Sequence, residues 1–192
     1  VRVTPENQEY MKLTALWHDI GKPETFAMGD DGWGHCFGHP HVSARYCREI
    51  LEAFKADTFT IDRVCLLAKY HDLLFKPDPR ILKKWLNKFG PEVLFEILEI
   101  KRADNIATGH DVTKLIEMFD NIKELIEQIL EEEQCFSLRD LAVGGNDIME
   151  ATGAKGPQVG ALLDGLLAAV ISEELPNERD VLLERARELA AE

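Results

Sequence analysis

The chain has 192 residues, 45% of them hydrophobic and 8% aromatic, with four cysteines and a formal net charge of −13. That length suits one domain, or one domain with a small appendix, and buries a core without disulfides or a structural metal. The composition excludes a bilayer-spanning apolar run and a disulfide framework, and so negative a field disfavours broad electrostatic binding of DNA or RNA.

Strand patterns are nearly absent and helix punctuation is dense, so the expected fold class is all-α. Thr4-Pro5-Glu6 reads as an N-cap, a proline at the first helical position and an early acid. The first helix then carries Tyr10, Leu13, Trp17 and Ile20 on one face, with Gly21 closing it. A Gly-rich loop runs from Met28 to Gly38. Pro40 opens a second helix with an apolar face of Val42, Tyr46, Ile50 and Phe54, and Thr60 caps a third with Val64, Leu67 and His71 in line. A fourth helix starts at Asp78-Pro79 and stops at Gly90. Pro91 starts a fifth with Val93, Ile97, Ile100, Asp104 and Ala107 at helical spacing, and a sixth runs from about Asp111 to Glu133. Cys47 and Cys65 fall on apolar faces and read as small buried hydrophobes.

From Ser137 the texture changes. Ser137-Leu138-Arg139-Asp140 resembles a capping box, and Gly144, Gly145, Gly153, Gly156 and Gly160 punctuate short helices. Leu162, Leu166, Val170, Leu182 and Leu183 supply apolar faces, so this is a packed helical appendix and not a linker. The expected division is a helical-bundle domain over 1–134 and an appendix over 135–192. The chain opens at Val1 without an initiator Met and is expected to be a piece of something longer; with no basic-then-apolar leader, the expected location is cytoplasmic.

The chemistry lies in the positions that interrupt this pattern. His18-Asp19 ends an apolar helix and is followed by Gly21-Lys22, His71 extends the apolar stripe of the third helix, and Asp104 sits where a core aliphatic belongs. A carboxylate aimed into a core is costly unless paired or metal-bound. One shared cation accounts for all three. His and Asp suit zinc, manganese, nickel or iron, with magnesium favoured where oxygen donors dominate. His39, just before Pro40, is placed to reach the same cation. Each residue also has a plainer reading. His18 can cap a helix C-terminus, Asp19 can pair with Lys22 or Arg102, His71 can be a core histidine, and Asp104 can be neutralised by Arg102 or Lys101. His35, Cys36, His39 and His41 can instead form a small structural zinc site, and His110 reads as a surface residue in a Gly-His-Asp turn.

Four stretches in order carry a resemblance. Ala15-Leu16-Trp17-His18-Asp19-Ile20-Gly21-Lys22-Pro23, Phe37-Gly38-His39-Pro40-His41, Ala68-Lys69-Tyr70-His71 and Lys101-Arg102-Ala103-Asp104-Asn105 resemble the successive motifs of the HD superfamily of metal-dependent phosphohydrolases. Phe136 to Ile148, Gly156 to Leu163 and Leu175-Pro176-Asn177 are similar to the C-terminal part of bacterial tRNA nucleotidyltransferases and related poly(A) polymerases. The resemblance implies an HD-domain bundle with metal ligands His18, Asp19, His39, His71 and Asp104, a divalent metal (Mn, Ni, Mg, Fe or Zn), and hydrolysis of phosphate esters of nucleotide or 2′,3′-cyclic phosphate type. Lys22 is the expected counter-charge for the phosphate, and His39 and His71 position water or protonate the leaving oxygen. The superfamily usually has a further ligand histidine upstream of His-Asp, which this sequence does not contain. It also has no Gly-Ser followed by an Asp-x-Asp pair, so this polypeptide alone is not expected to add nucleotides.

Two other readings stand beside the hydrolase. One is a tRNA-holding body, contacting phosphate through the glycine-rich turn at 153–160 that feeds a helix at Pro157; that turn is otherwise a tight helix–helix connection. The other is a regulatory protein acting on a signalling nucleotide, because substrate choice lives in pocket shape. No membrane partner is expected.

Overall fold

The computed structural model describes residues 9–30, 32–108, 112–132 and 134–191. Among them the chain is all-α apart from one hairpin of two-residue strands. The cap expected at Thr4-Pro5-Glu6 and the turn at His110 lie outside the described residues. Two compact units interleave along the chain: one holds residues up to Phe75 together with Glu92–Asp120, the other Lys76–Pro91 together with Asn121–Glu192. The division expected at 134 follows the change of texture at Ser137, whereas compactness groups Lys76–Pro91 with Asn121–Glu192. Among the described residues no single helix is long and apolar enough to cross a membrane.

The first unit contains α1 (Glu9–Trp17), α2 (Lys22–Thr25), the antiparallel strands β1 (Ala27–Met28) and β2 (Gly34–His35), α3 (His39–Ala53) and α4 (Thr58–Tyr70). It also takes the second segment of α5 (Pro79–Ala107) and the start of α6 (Val112–Glu131). α1 stops at Trp17, short of the expected Gly21. Tyr10, Leu13 and Trp17 pack partly buried against a core of Cys47, Leu51, Ile61, Val64, Cys65 and Ala68, while Ile20 turns to the surface. Thr14 is fully buried, which is tolerable because its hydroxyl donates to the Tyr10 carbonyl at 2.8 Å.

Gly21 does not close α1. It precedes α2 in ordinary right-handed conformation and is needed for a close approach: a Cβ there would sit 2.7 Å from the His39 carbonyl oxygen and 2.7 Å from the Ser43 nitrogen. Its N–H donates to the Ser43 hydroxyl at 3.0 Å, so backbone touches α3 directly. The buried face of α3 is accordingly His39, Ser43, Cys47 and Leu51, one residue round from the expected Val42, Tyr46, Ile50 and Phe54. Val42, Tyr46 and Ile50 are half-buried, and Phe54 is exposed. Small side chains face inward because α1 and the turn after it come too close for large ones. α4 begins at Thr58 with Asp57 as its N-cap, accepting from the Thr60 N–H at 3.0 Å; Thr60, the expected cap, lies inside the helix.

α5 breaks at Gly90, which has a φ of 73°, so the expected stop and restart at Gly90-Pro91 are present within one long element. Its second segment buries Leu94, Ile97, Leu98, Ile100 and Ala103. Glu96, also buried, accepts from the Tyr10 hydroxyl at 2.6 Å and pairs with the Arg63 guanidinium at 2.9 Å. Burial and the Glu96 carboxylate push the Tyr10 phenol up to about 12.

The second unit adds a 3-10 turn at Leu138–Asp140, α7 (Gly145–Thr152), α8 (Pro157–Ile171) and α9 (Arg179–Ala191). Its core joins Leu141, Val143, Ile148, Leu166, Leu167, Val170, Leu182 and Leu183, with Leu162 packed partly buried against them. The Asp140 carboxylate reaches back to the Ser137 N–H at 2.8 Å, as the Ser-x-x-Asp spacing predicts. Asn177 ties α9 to this turn by donating to the Asp140 carbonyl and accepting from the Ala142 N–H. Asp147 accepts from the Gly144 N–H at 2.8 Å and pairs with Arg179 at 2.7 Å.

Candidate metal centre

Four stretches of the first unit converge on one place: the turn after α1 with His18 and Asp19, the first residue of α3 with His39, the C-cap of α4 with His71, and α5 with Asp104. His71 is 2% exposed and His39 8%. All three rings are oriented by the same device. Nδ1 of His18 meets the Ala15 carbonyl at 3.0 Å, that of His39 the Cys36 carbonyl at 2.8 Å, and that of His71 the Ala68 carbonyl at 2.7 Å. A carbonyl only accepts, so each Nδ1 carries the hydrogen, and each Nε2 is turned toward the cluster.

The Nε2 atoms gather around Asp19. Oδ1 of Asp19 lies 3.2 Å from Nε2 of His39 and 3.5 Å from Nε2 of His71, which are themselves 3.2 Å apart. Oδ2 faces the other way, 3.4 Å from Nε2 of His18 and 2.5 Å from Nζ of Lys22. Nε2 of His18 is in turn 3.3 Å from Oδ1 of Asp104. The two oxygens of Asp19 thus divide the cluster into a His39–His71 side and a His18–Asp104 side. Asp19 Oδ1 is buried and has neighbours in range but no aligned hydrogen-bond donor. An orphaned carboxylate oxygen beside convergent imidazole nitrogens fits a divalent cation, which can accept several lone pairs at once. His18, Asp19 and His71 place one ligand atom each within 4.8 Å of one another.

Charge follows the same geometry. Burial opposes a charge on His18, but the hydrogen bonds to Asp104 and Asp19 outweigh it and push the imidazole up to about 9. Burial likewise opposes ionisation of Asp19, yet His18, His71 and Lys22 hold it well below the usual carboxylate range. The bond from His18 also holds Asp104 low, and Asp19 raises Lys22 against the effect of burial.

Several plainer pairings can be checked. The Asp19–Lys22 ion pair is present, and the ring of His18 does cap the end of α1. Neither neighbour on α5 pairs directly with Asp104: Arg102 turns to Glu99 at 3.8 Å and Lys101 to Asp72 at 2.6 Å, although the charge of Lys101 still helps hold Asp104 low. The alternative zinc set is not gathered: Cys36 offers His39 its carbonyl, His35 stacks on Phe37, and His41 is exposed. Gly21 is expected from the sequence only as a helix stop and Ser43 not at all, yet together they bring His39 against Asp19.

A cleft of about 770 Å³ adjoins the cluster, lined among others by Lys22, His35, Phe37, His39, Lys69 and Tyr70. It opens onto the His39 edge of the cluster.

A protein-family model, tRNA nucleotidyltransferase domain 2, matches residues 31–186. The chain is 25% identical over 185 residues to an A-adding tRNA nucleotidyltransferase of Deinococcus radiodurans, covering 94% of this chain and 42% of that protein. It is 26% identical over 167 residues to a CC-adding tRNA nucleotidyltransferase of Thermus thermophilus, covering 86% and 37%. It is 24% identical over 180 residues to a CCA-adding enzyme of Streptococcus mutans, covering 92% and 40%. The chain therefore spans about two fifths of the length of the curated relatives it matches. No solved structure is matched. The family model covers most of both compact units, and on that ground the chain belongs to the tRNA nucleotidyltransferase domain 2 family.

Proposed function

We propose that this chain is a divalent-metal-dependent phosphohydrolase of HD type, acting on nucleotide or 2′,3′-cyclic phosphate esters. The observation that carries the reading is the convergence of three Nε2 atoms and an orphaned Asp19 oxygen. His18, Asp19 and Asp104 would hold one cation, and His39 and His71 would be the donors for a second beside it. The imidazole-rich donor set favours Mn, Ni, Fe or Zn over Mg. When bound, the cation supplies Lewis-acid polarisation of a phosphoryl oxygen and a nucleophilic water at neutral pH.

The chain's own residues then position and move protons. Lys22 lines the cleft and neutralises phosphate charge. Hydrolysis forms a bond from water oxygen to phosphorus and breaks the bond to the leaving oxygen. Water gives up one proton to Nε2 of whichever of His39 and His71 is not ligating, and that nitrogen passes it to the leaving oxygen, so the ring ends as it began. The test is to load dialysed protein with each metal, measure stoichiometry by elemental analysis, and assay phosphomonoesters and 2′,3′-cyclic nucleotides. Asp19→Ala should lose both metal and turnover; unchanged turnover in that variant refutes the assignment.

Family membership supports a second reading, a body that holds tRNA. Gly153 and Gly156, with φ of 75° and 57°, form the turn between α7 and α8, and no atom would block a side chain at either. Salt-sensitive tRNA binding by metal-free protein, without turnover under any metal, selects this reading over the enzyme. Both readings place the chain's action in the cytoplasm and at no membrane.

A further inference from the structure

We propose that Phe37 and His35 form a nucleobase platform beside the metal centre, so that the cleft takes a nucleoside monophosphate and not a bare sugar phosphate. This deepens the phosphohydrolase reading and rests on it only for the place of the phosphate. The rings of His35 and Phe37 stack with centroids 5.0 Å apart and planes within 14°. Phe37 nonetheless remains 82% exposed, although a phenyl ring is among the most costly side chains to leave in water. Its ring is therefore presented flat, braced by His35, with area left for a planar ring to cover.

The polar groups of the cleft are arranged to suit such a ligand. Lys22 and His39 lie on the wall shared with the metal cluster, where a phosphate would sit. Lys69 lies on the wall of α4, its ammonium 5.4 Å from the Tyr70 ring centroid. The carboxylate in the cleft, Asp72, is paired with Lys101 at 2.6 Å, which offsets its repulsion of a phosphate. A volume of about 770 Å³ is within the range for small-ligand clefts and accommodates one nucleotide. The net charge of −13 disfavours a long polyanion and tolerates a single phosphate drawn to local cations. The recognised chemistry is thus an aromatic base on Phe37, with its phosphate toward Lys22 and His39.

The test is calorimetric titration of the metal-loaded protein with AMP and with ribose 5-phosphate, on wild type, Phe37→Leu and Phe37→Ala. Wild type should prefer AMP by about tenfold or more, the contribution of one stacked base. Both variants should lose that preference while binding ribose 5-phosphate as before. Phe37→Leu keeps an apolar surface, so its loss of preference separates stacking from general hydrophobic contact. Equal binding of the two ligands by wild type, or an AMP preference retained in Phe37→Leu, overturns the platform. AMP preference without turnover under any metal sinks the hydrolase reading and leaves the platform standing; turnover without preference does the reverse.

Discussion

His18, His39 and His71 each spend one ring nitrogen on a carbonyl three residues earlier, and that local bond decides what the other nitrogen can do. For His18 and His71, at the ends of α1 and α4, the bond that occupies Nδ1 also turns Nε2 toward Asp19. Asp19 completes the set, with both carboxylate oxygens facing cluster nitrogens. Asp19→Asn should keep the fold and lower divalent-metal affinity by at least about tenfold, read by calorimetry. Unaltered affinity would mean the cation is held elsewhere. His18, Asp19, His71 and Asp104 stand out in the sequence because they interrupt an apolar pattern, and His39 because it immediately precedes the Pro40 that opens a helix. Gly21 and Ser43 do not stand out in this way, because their role exists only once two backbones are within van der Waals distance. Gly21→Ala drives a methyl into the His39 carbonyl and the Ser43 nitrogen. It should cost about 1–3 kcal/mol in denaturant unfolding and weaken metal binding, because His39 must retreat from Asp19. A variant with wild-type stability and metal affinity would show that α3 yields without consequence.

Among elements, α3 is the instructive case. Its inward face departs from the apolar periodicity, because hydrophobicity alone sets that pattern whereas this contact selects for size: His39, Ser43, Cys47 and Leu51 face in and the larger Tyr46 turns aside. Tyr46 is still used, since its hydroxyl and the Arg45 guanidinium both meet the same Glu24 oxygen at 2.6 Å and pin α2 to α3. The break in α5 was legible because Gly-Pro punctuates helices wherever it falls. In the second unit, α7 and α9 are joined by Asp147. The Gly144 N–H and then Arg179 hold its carboxyl below the ordinary 3.8. A depressed carboxylate stabilises the fold above its unfolded pKa and loses that contribution as pH falls through the folded value. Thermal unfolding of Asp147→Asn should therefore converge on wild type as pH drops below about 4 and diverge above it. Curves separated equally at every pH would rule out the charged form as the stabilising species.

At the level of the whole molecule, the all-α class was legible from punctuation alone, and the grouping of helices was not. Texture placed a boundary near 134, but Lys76–Pro91 belongs with the C-terminal helices, as the 3.7 Å pair of Lys83 with Glu173 illustrates. Removing 135–192 should thus do more than trim an appendix. It deletes Ile148, Leu166, Val170 and Leu182 from the second core. Hydrogen exchange of the truncated chain should show lost protection over 76–91, and retained protection there would mean that segment is held by the first unit.

The interleaving also bears on how the chain comes apart. The backbone passes between the two units at three points, and two of these, after Pro91 and after Asp120, fall inside α5 and α6. A nick after Phe75 therefore leaves two covalent ties intact, one just past the break at Gly90 and one wound into α6. Liberating either half as a separate folded body takes three scissions, so shedding by simple clipping is closed to this architecture.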